Sequence, residues 1–416
     1  MMKIEKYSFG IGDRFGLQGK AQLAAIILAK KAGVSLVPVW NKSNREHQTI
    51  GTKPSQVRVE ADNSVSDLGW TESHYVDADH INLDTVESFI DHSDFFTLDV
   101  ADFIGKKAED NDIEKFVSQN EKFLGELKIE GIDETFTVQK EDLYKIGENY
   151  LYAIKHAASI YEHLVFKKGA ENFVTEVSMD EVDTPQTPLE MFFILSALAA
   201  ENIPAQTIAP KFSGRFNKGV DYVGDVSAFE KEFEQDLLVI QKAIAEFGLP
   251  ENLKLSVHSG SDKFSIYPII GTLIKKYDKG IHVKTAGTTW LEEVIGLSMA
   301  GGDALEMAKD IYNKAYTRQD ELCGPYASVI DIDQKNLPSP EEVNSWDSEK
   351  FSNSLRHIPD HPDYNLNFRQ LIHVGYKVAA ELGDDYMNML KKHEEVVAAQ
   401  VTENIYDRHI KRMFHL

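Results

Sequence analysis

Three short stretches hold side chains that can do chemistry: Tyr75–His80 (YVDADH), Phe173–Glu181 (FVTEVSMDE) and Lys254–Lys263 (KLSVHSGSDK). Each is an apolar run that ends abruptly in acids, imidazoles or a lysine. A buried strand has this form when its C-terminal tip opens into a polar site. Imidazoles and carboxylates without thiolates suit a divalent cation such as Zn²⁺, Mn²⁺, Ni²⁺ or Co²⁺. No single local motif of the HExxH kind fixes such a site. His258 follows four buried residues and precedes a Ser-Gly turn, and packing alone does not explain an imidazole there, so it reads as a metal ligand. His80 reads as a ligand or as a helix cap. Glu176 sits mid-strand, facing either the barrel interior, where it must be paired or functional, or a helix, at a high cost. Asp180 and Glu181 read as helix-capping alternatives, and Asp221 (in GVDYVGD) equally as a turn residue or a ligand. His282 reads as a core hydrogen-bonding group. His373 reads as a structural or interface residue.

About eight apolar runs recur, alternating with helical patterns. The expected strands are Tyr7–Ile11, Val34–Trp40, His74–Asp77, Phe95–Asp99, Phe173–Ser178, Thr207–Phe212, Leu253–Val257 and Ile281–Thr285. Helices are expected at Gly19–Lys31, near Leu83–Ile90, at Leu143–Phe166, Thr187–Glu201 and Val226–Phe247, and from about Trp290. Eight β-then-α units predict an α/β fold, a (β/α)8 TIM-type barrel with its chemistry on the loops after the strands. Residues 1–325 form the expected catalytic barrel, with a charge-rich inserted segment at about 104–142. Residues 326–416 form a C-terminal helical extension, and its tail (Arg369–Met413) is expected to pack on the barrel or to make a homo-oligomer interface.

The chain has 416 residues and a net charge of −23, which argues against nucleic acid and anionic membranes as partners. A local group of lysines and arginines can still take an anionic small molecule. No run of ~18 apolar residues predicts a membrane span, and the N-terminus shows no secretory pattern. Cys323 is the only cysteine, which excludes an intrachain disulfide and fits a cytoplasmic protein. Neither GxGxxG nor GxxxxGK[ST] occurs, so no nucleotide is expected.

Eight segments, in order, carry a family resemblance: GDRFGL (12–17), DADH (77–80), FTLD (96–99), TEVSMDEVDTPQTPL (175–189), KGVDYVGD (218–225), VHSGSDKFSIYP (257–268), HVKTAGT (282–288) and RQLIHV (369–374). The chain resembles the tagaturonate/fructuronate epimerases, metal-dependent enzymes of bacterial hexuronate catabolism. The resemblance implies a sugar-acid substrate and a divalent metal cofactor. It makes Asp79 the proton acceptor, Glu176 the proton donor, and His80 and His258 metal ligands. Asp221 is the expected third ligand. Arg14, Lys263 and Lys284 are expected to hold the uronate carboxylate, with Asp13 beside them. A metal-dependent aldose–ketose isomerase and a non-catalytic sugar-acid sensor are the alternative readings.

Overall fold

The computed structural model describes residues 2–285 and 287–416. Eight parallel strands close into a barrel. They are β1 (Tyr7–Ile11), β2 (Val37–Ser43), β3 (Tyr75–Ile81), β4 (Phe95–Asp99), β5 (Val174–Ser178), β6 (Thr207–Ala209), β7 (Lys254–His258) and β8 (Ile281–Lys284). β8 returns to β1 in parallel register, Tyr7 opposite Ile281 and Gly10 opposite Lys284, so the expected barrel closes. Gly10 is required there, because a Cβ would lie 2.9 Å from Lys284 Cγ.

Local chemistry explains where strand ends differ from expectation. β2 starts three residues late, because Gly33 (φ 95°) ends the preceding helix and the Val34 amide still donates to the Ala29 carbonyl. It runs on to Ser43, which caps the next helix in a capping box with Glu46. β3 continues through the acids to Ile81. β6 stops at Ala209 because Pro210 has no amide to donate.

Helices Asn44–Ile50, Pro54–Leu68 and Tyr267–Lys276 complete the outer ring beyond those read from sequence. The helix expected near Leu83–Ile90 is one 3₁₀ turn, Val86–Ser88. The inserted segment holds a helix (Asp110–Asn120) and a small antiparallel hairpin (Gly125–Leu127 with Phe136–Val138). No helix among the described residues is long and apolar enough to cross a membrane.

The tail is not one long helix. Gly375 and Gly383 interrupt it, and residues Asn404–Ile410 are π-helical. Glu394–Glu403 lies across the barrel helices Gly19–Lys31 and Gly287–Ala300, with Thr402 Oγ1 donating to the Ala21 carbonyl at 2.9 Å. Val397, Val401, Ile410 and Met413 join the same apolar core as Leu23 and Trp290.

The approach is close enough to forbid side-chain atoms: a Cβ on Gly271 would collide with the Met413 carbonyl. Helix propensity alone would make Gly271→Ala stabilising by ~1 kcal/mol. Overpacking by about 1–3 kcal/mol opposes it. Gly271→Ala is therefore expected to lower the thermal unfolding midpoint, and a raised midpoint would show that the C-terminal end is not seated on this helix.

Candidate functional site

Side chains of β3, β4 and β5 converge on the ammonium group of Lys284, on β8. Lys284 Nζ lies 2.8 Å from Asp77 Oδ2, 2.9 Å from Asp79 Oδ1, 2.8 Å from Glu176 Oε1 and 2.6 Å from Thr97 Oγ1. Register makes this possible. Thr97, Glu176 and Thr207 are opposite one another on three adjacent strands. Both threonine hydroxyls donate to the Glu176 carboxylate, at 3.2 and 2.7 Å. Glu176 is fully buried.

Burial would neutralise these acids, but the lysine opposes it. Despite desolvation, Lys284 and then His258 hold Glu176 well below the usual carboxylate range. Burial is also the largest influence on Asp79, yet Lys284, His80 and His258 hold it low. Asp77 is pushed up to about 7 by burial, with Lys284 pulling the other way. Three acids around one lysine leave the barrel floor electron-rich.

His80, Asp180 and His258 form the one grouping of three His, Cys, Asp or Glu side chains among the described residues that can hold a metal ion. Their ligand atoms all lie within 4.8 Å of one another. His258 ends β7, and its Nε2 is 2.8 Å from Glu176 Oε1, with Nδ1 3.1 Å from Asp180 Oδ2. Asp180 follows β5 and accepts from Ser178 Oγ at 2.5 Å. His80 takes a left-handed backbone (φ 52°) where the β3–β4 register shifts, a conformation that costs a non-glycine residue ~1–2 kcal/mol. That kink sets its ring 5.2 Å from the His258 ring, with Nδ1 3.4 Å from Asp99. Two imidazoles and a carboxylate, with carboxylates behind the rings, fit a Zn²⁺-type centre with open positions.

Asp221 is not in this group. Its carboxylate accepts from the Ser265 amide and hydroxyl and from the Tyr222 amide, which ties two loops together. Asp180, a strand-tip acid that the sequence leaves open to helix capping, stands in the group instead. Lys263 is also elsewhere. Its buried Nζ donates to the Asn217 and Val220 carbonyls and to Ser261 Oγ, and burial lowers its pKa to about 7. Asp13 accepts from the Phe15, Leu17 and Gln18 amides and shapes the loop after β1. Lys284 lines the cavity floor but is held by three acids. His282 bonds Ser8 Oγ at 2.9 Å as a core group.

Above the floor is a cavity of about 380 Å³ whose lining includes Asp79, His80, Asp180, His258 and Lys284 together with the basic residues Arg14, Arg45 and Lys218 and the acids Glu46 and Glu181. Arg14 is paired with Glu46 at 3.1 Å and lies over the Tyr376 ring. Arg45 and Lys218 both lie over Tyr326. Sequence reading missed Arg45, which follows a strand longer than expected, and His373, which lines the same cavity.

A closed parallel barrel with a cavity at its strand tips is the architecture of a (β/α)8-barrel enzyme, and the imidazole–carboxylate grouping in that cavity is compatible with a metal ion. The chain belongs to the tagaturonate epimerase family (UxaE), matching it over residues 1–413, and is accordingly an epimerase, an enzyme of the isomerase class. It is 30% identical to the tagaturonate/fructuronate epimerase of Thermotoga maritima, over 97% of this chain and 80% of that protein. The glycerol-bound fructuronate-tagaturonate epimerase of Cohnella laeviribosi shares the fold, with a TM-score of 0.80 at 24% identity over 99% of this chain and 82% of that one.

Two outcomes follow from the floor. Removing the charge by Lys284→Met leaves buried acids uncompensated and is expected to cost about 3–5 kcal/mol of stability, measured by denaturant unfolding. An unchanged midpoint would mean that the acids are already protonated. Burial disfavours charge on His258, but Asp180 and Glu176 outweigh it and raise its pKa to about 9. Its contribution to stability is thus complete below ~6.5 and lost as pH rises through about 9. Metal-free protein should lose unfolding midpoint over that window, and His258→Gln should flatten the dependence.

Proposed function

We propose that this chain interconverts D-tagaturonate and D-fructuronate in the cytoplasm, with a divalent cation held by His80, Asp180 and His258. The polarised cavity carries the reading. Acids and imidazoles line the cavity together with a cluster of three basic residues, Arg14, Arg45 and Lys218, of which Arg45 and Lys218 share the Tyr326 ring. A ketouronate has the matching polarity, with a carboxylate at one end and ketone and hydroxyl oxygens along the rest. Arg14 keeps the anchoring part expected of it, and Lys218 takes that of Lys263 and Lys284, whose ammonium groups are already committed.

The two ketouronates differ at one carbinol carbon β to the ketone. The carbonyl does not acidify that C–H, so enolisation cannot invert it. Retro-aldol cleavage can. A base takes the carbinol hydroxyl proton, the adjacent C–C bond breaks, and its electron pair moves into the ketone to give an enediolate. The aldehyde rotates, the bond re-forms on its other face, and the oxygen regains a proton. A divalent cation would supply Lewis-acid stabilisation of the developing negative charge.

Asp79 is ionised beside Lys284 and lines the cavity, so it acts as the base and carries the proton between the two steps. Glu176 lies behind His258 rather than on the cavity wall. Its role is to fix the tautomer and orientation of that imidazole, unlike the proton donor the resemblance implies.

Metal-stripped protein given D-tagaturonate in D₂O, with and without Mn²⁺, Zn²⁺ or Ni²⁺, tests the reading by product NMR. D-fructuronate is expected only with metal, and without deuterium at the inverted carbon. Absence of product with every metal would refute the activity, and deuterium there would refute the retro-aldol route. Asp79→Asn is expected to lose roughly 10²–10⁴-fold in kcat with metal affinity retained. Glu176→Gln is expected to lose about 10–100-fold in metal affinity and to regain turnover in excess metal. If Glu176→Gln binds metal normally yet stays inactive, Glu176 is the proton donor instead.

A further inference from the structure

His373 belongs to the helix Leu366–Val374 of the C-terminal extension, far in sequence from every barrel strand. It lines the same cavity as Asp79 and His80. The residue is 3% exposed, and its Nε2 is buried with no hydrogen-bond partner among the described residues. A buried polar atom left unpaired costs about 1–3 kcal/mol, and native proteins seldom tolerate it without a purpose.

The imidazole is held in place from several directions. One turn earlier, the fully buried Arg369 donates to Asp262 at 2.8 Å, to the Leu355 carbonyl at 2.5 Å and to the Gly219 carbonyl. Trp290 Nε1 fixes the adjacent turn by donating to the Ile372 carbonyl at 2.8 Å. Two glycines clear the space around the ring. A Cβ on Gly219 would lie 3.3 Å from His373 Cβ, and one on Gly287 would lie 3.0 Å from Nε2. Burial, followed by the nearby charges of Arg14 and Lys218, holds the imidazole neutral. A neutral imidazole beside two cations offers a hydrogen-bond donor that needs no counter-ion, so it can join them in holding an anion.

Resting on the sugar-acid reading above, we infer that His373 is a substrate-contacting residue whose imidazole N–H donates to the carboxylate end of the sugar acid, completing an anion-binding cluster with Lys218 and Arg14. The C-terminal extension then contributes directly to specificity.

His373→Leu and His373→Gln keep similar volume, and only the second retains an amide donor. Binding of D-tagaturonate is measured by calorimetry on metal-loaded full-length protein, alongside thermal midpoint and metal affinity. His373→Leu is expected to weaken binding at least about tenfold, as for a lost hydrogen bond to a charged group. Metal affinity and midpoint should stay near wild type, and His373→Gln should recover most of the loss. Unchanged binding in His373→Leu would overturn the inference, as would equal loss in both variants. Failure of the functional reading shows separately, as wild-type protein that binds D-tagaturonate without turning it over. Wild-type protein that does not bind it at all overturns both.

Discussion

One buried ammonium group organises this barrel. Lys284 compensates Asp77, Asp79 and Glu176 at once, in a place where unpaired carboxylates would be too costly to ionise. Much else depends on that contact. Gly10 must lack a side chain to let the lysine through, and Thr97 and Thr207 must supply hydroxyls to the remaining lone pairs. Because the lysine neutralises only part of the charge, the floor stays negative, favouring protonated imidazoles in the metal-free protein and a cation in the proposed loaded one.

The basic residues of the cavity draw on a different part of the chain. Arg369, Asp262 and His357 form a buried polar network that ties the C-terminal helices to the loop after β7. Arg369 also grips the carbonyl of Gly219, next to Lys218. Lys263 supports the same loop from beneath through the Asn217 and Val220 carbonyls. The extension therefore does more than cover apolar barrel helices: it sets the basic cluster of the cavity.

The barrel was legible because fully buried parallel strands read as apolar runs and their polar tips interrupt the pattern. β1 and β4 and the helices Gly19–Lys31 and Val226–Phe247 have the bounds read from sequence. Errors arose where backbone chemistry overrides composition, as with Gly33 delaying β2 and Pro210 shortening β6. Within the site, His80 and His258 are brought together, and Asp79 and Glu176 sit beside them. Asp180 was ambiguous because an acid two residues past a strand resembles a helix cap, and only the bend after Ser178 turns it toward His258. Lys263 and Asp221 look functional in sequence, but side-chain hydrogen bonds to loop backbone leave no sign in composition. His373 was unreadable as a cavity residue because nothing local says where the tail packs.

The most direct test of the proposed centre is an anomalous diffraction map from crystals of this protein loaded with Zn²⁺. A peak about 2.0–2.2 Å from one atom each of His80, Asp180 and His258 is the predicted result. A peak bound by Asp221, or within the Asp77–Asp79–Lys284 cluster with those imidazoles free, would contradict the account.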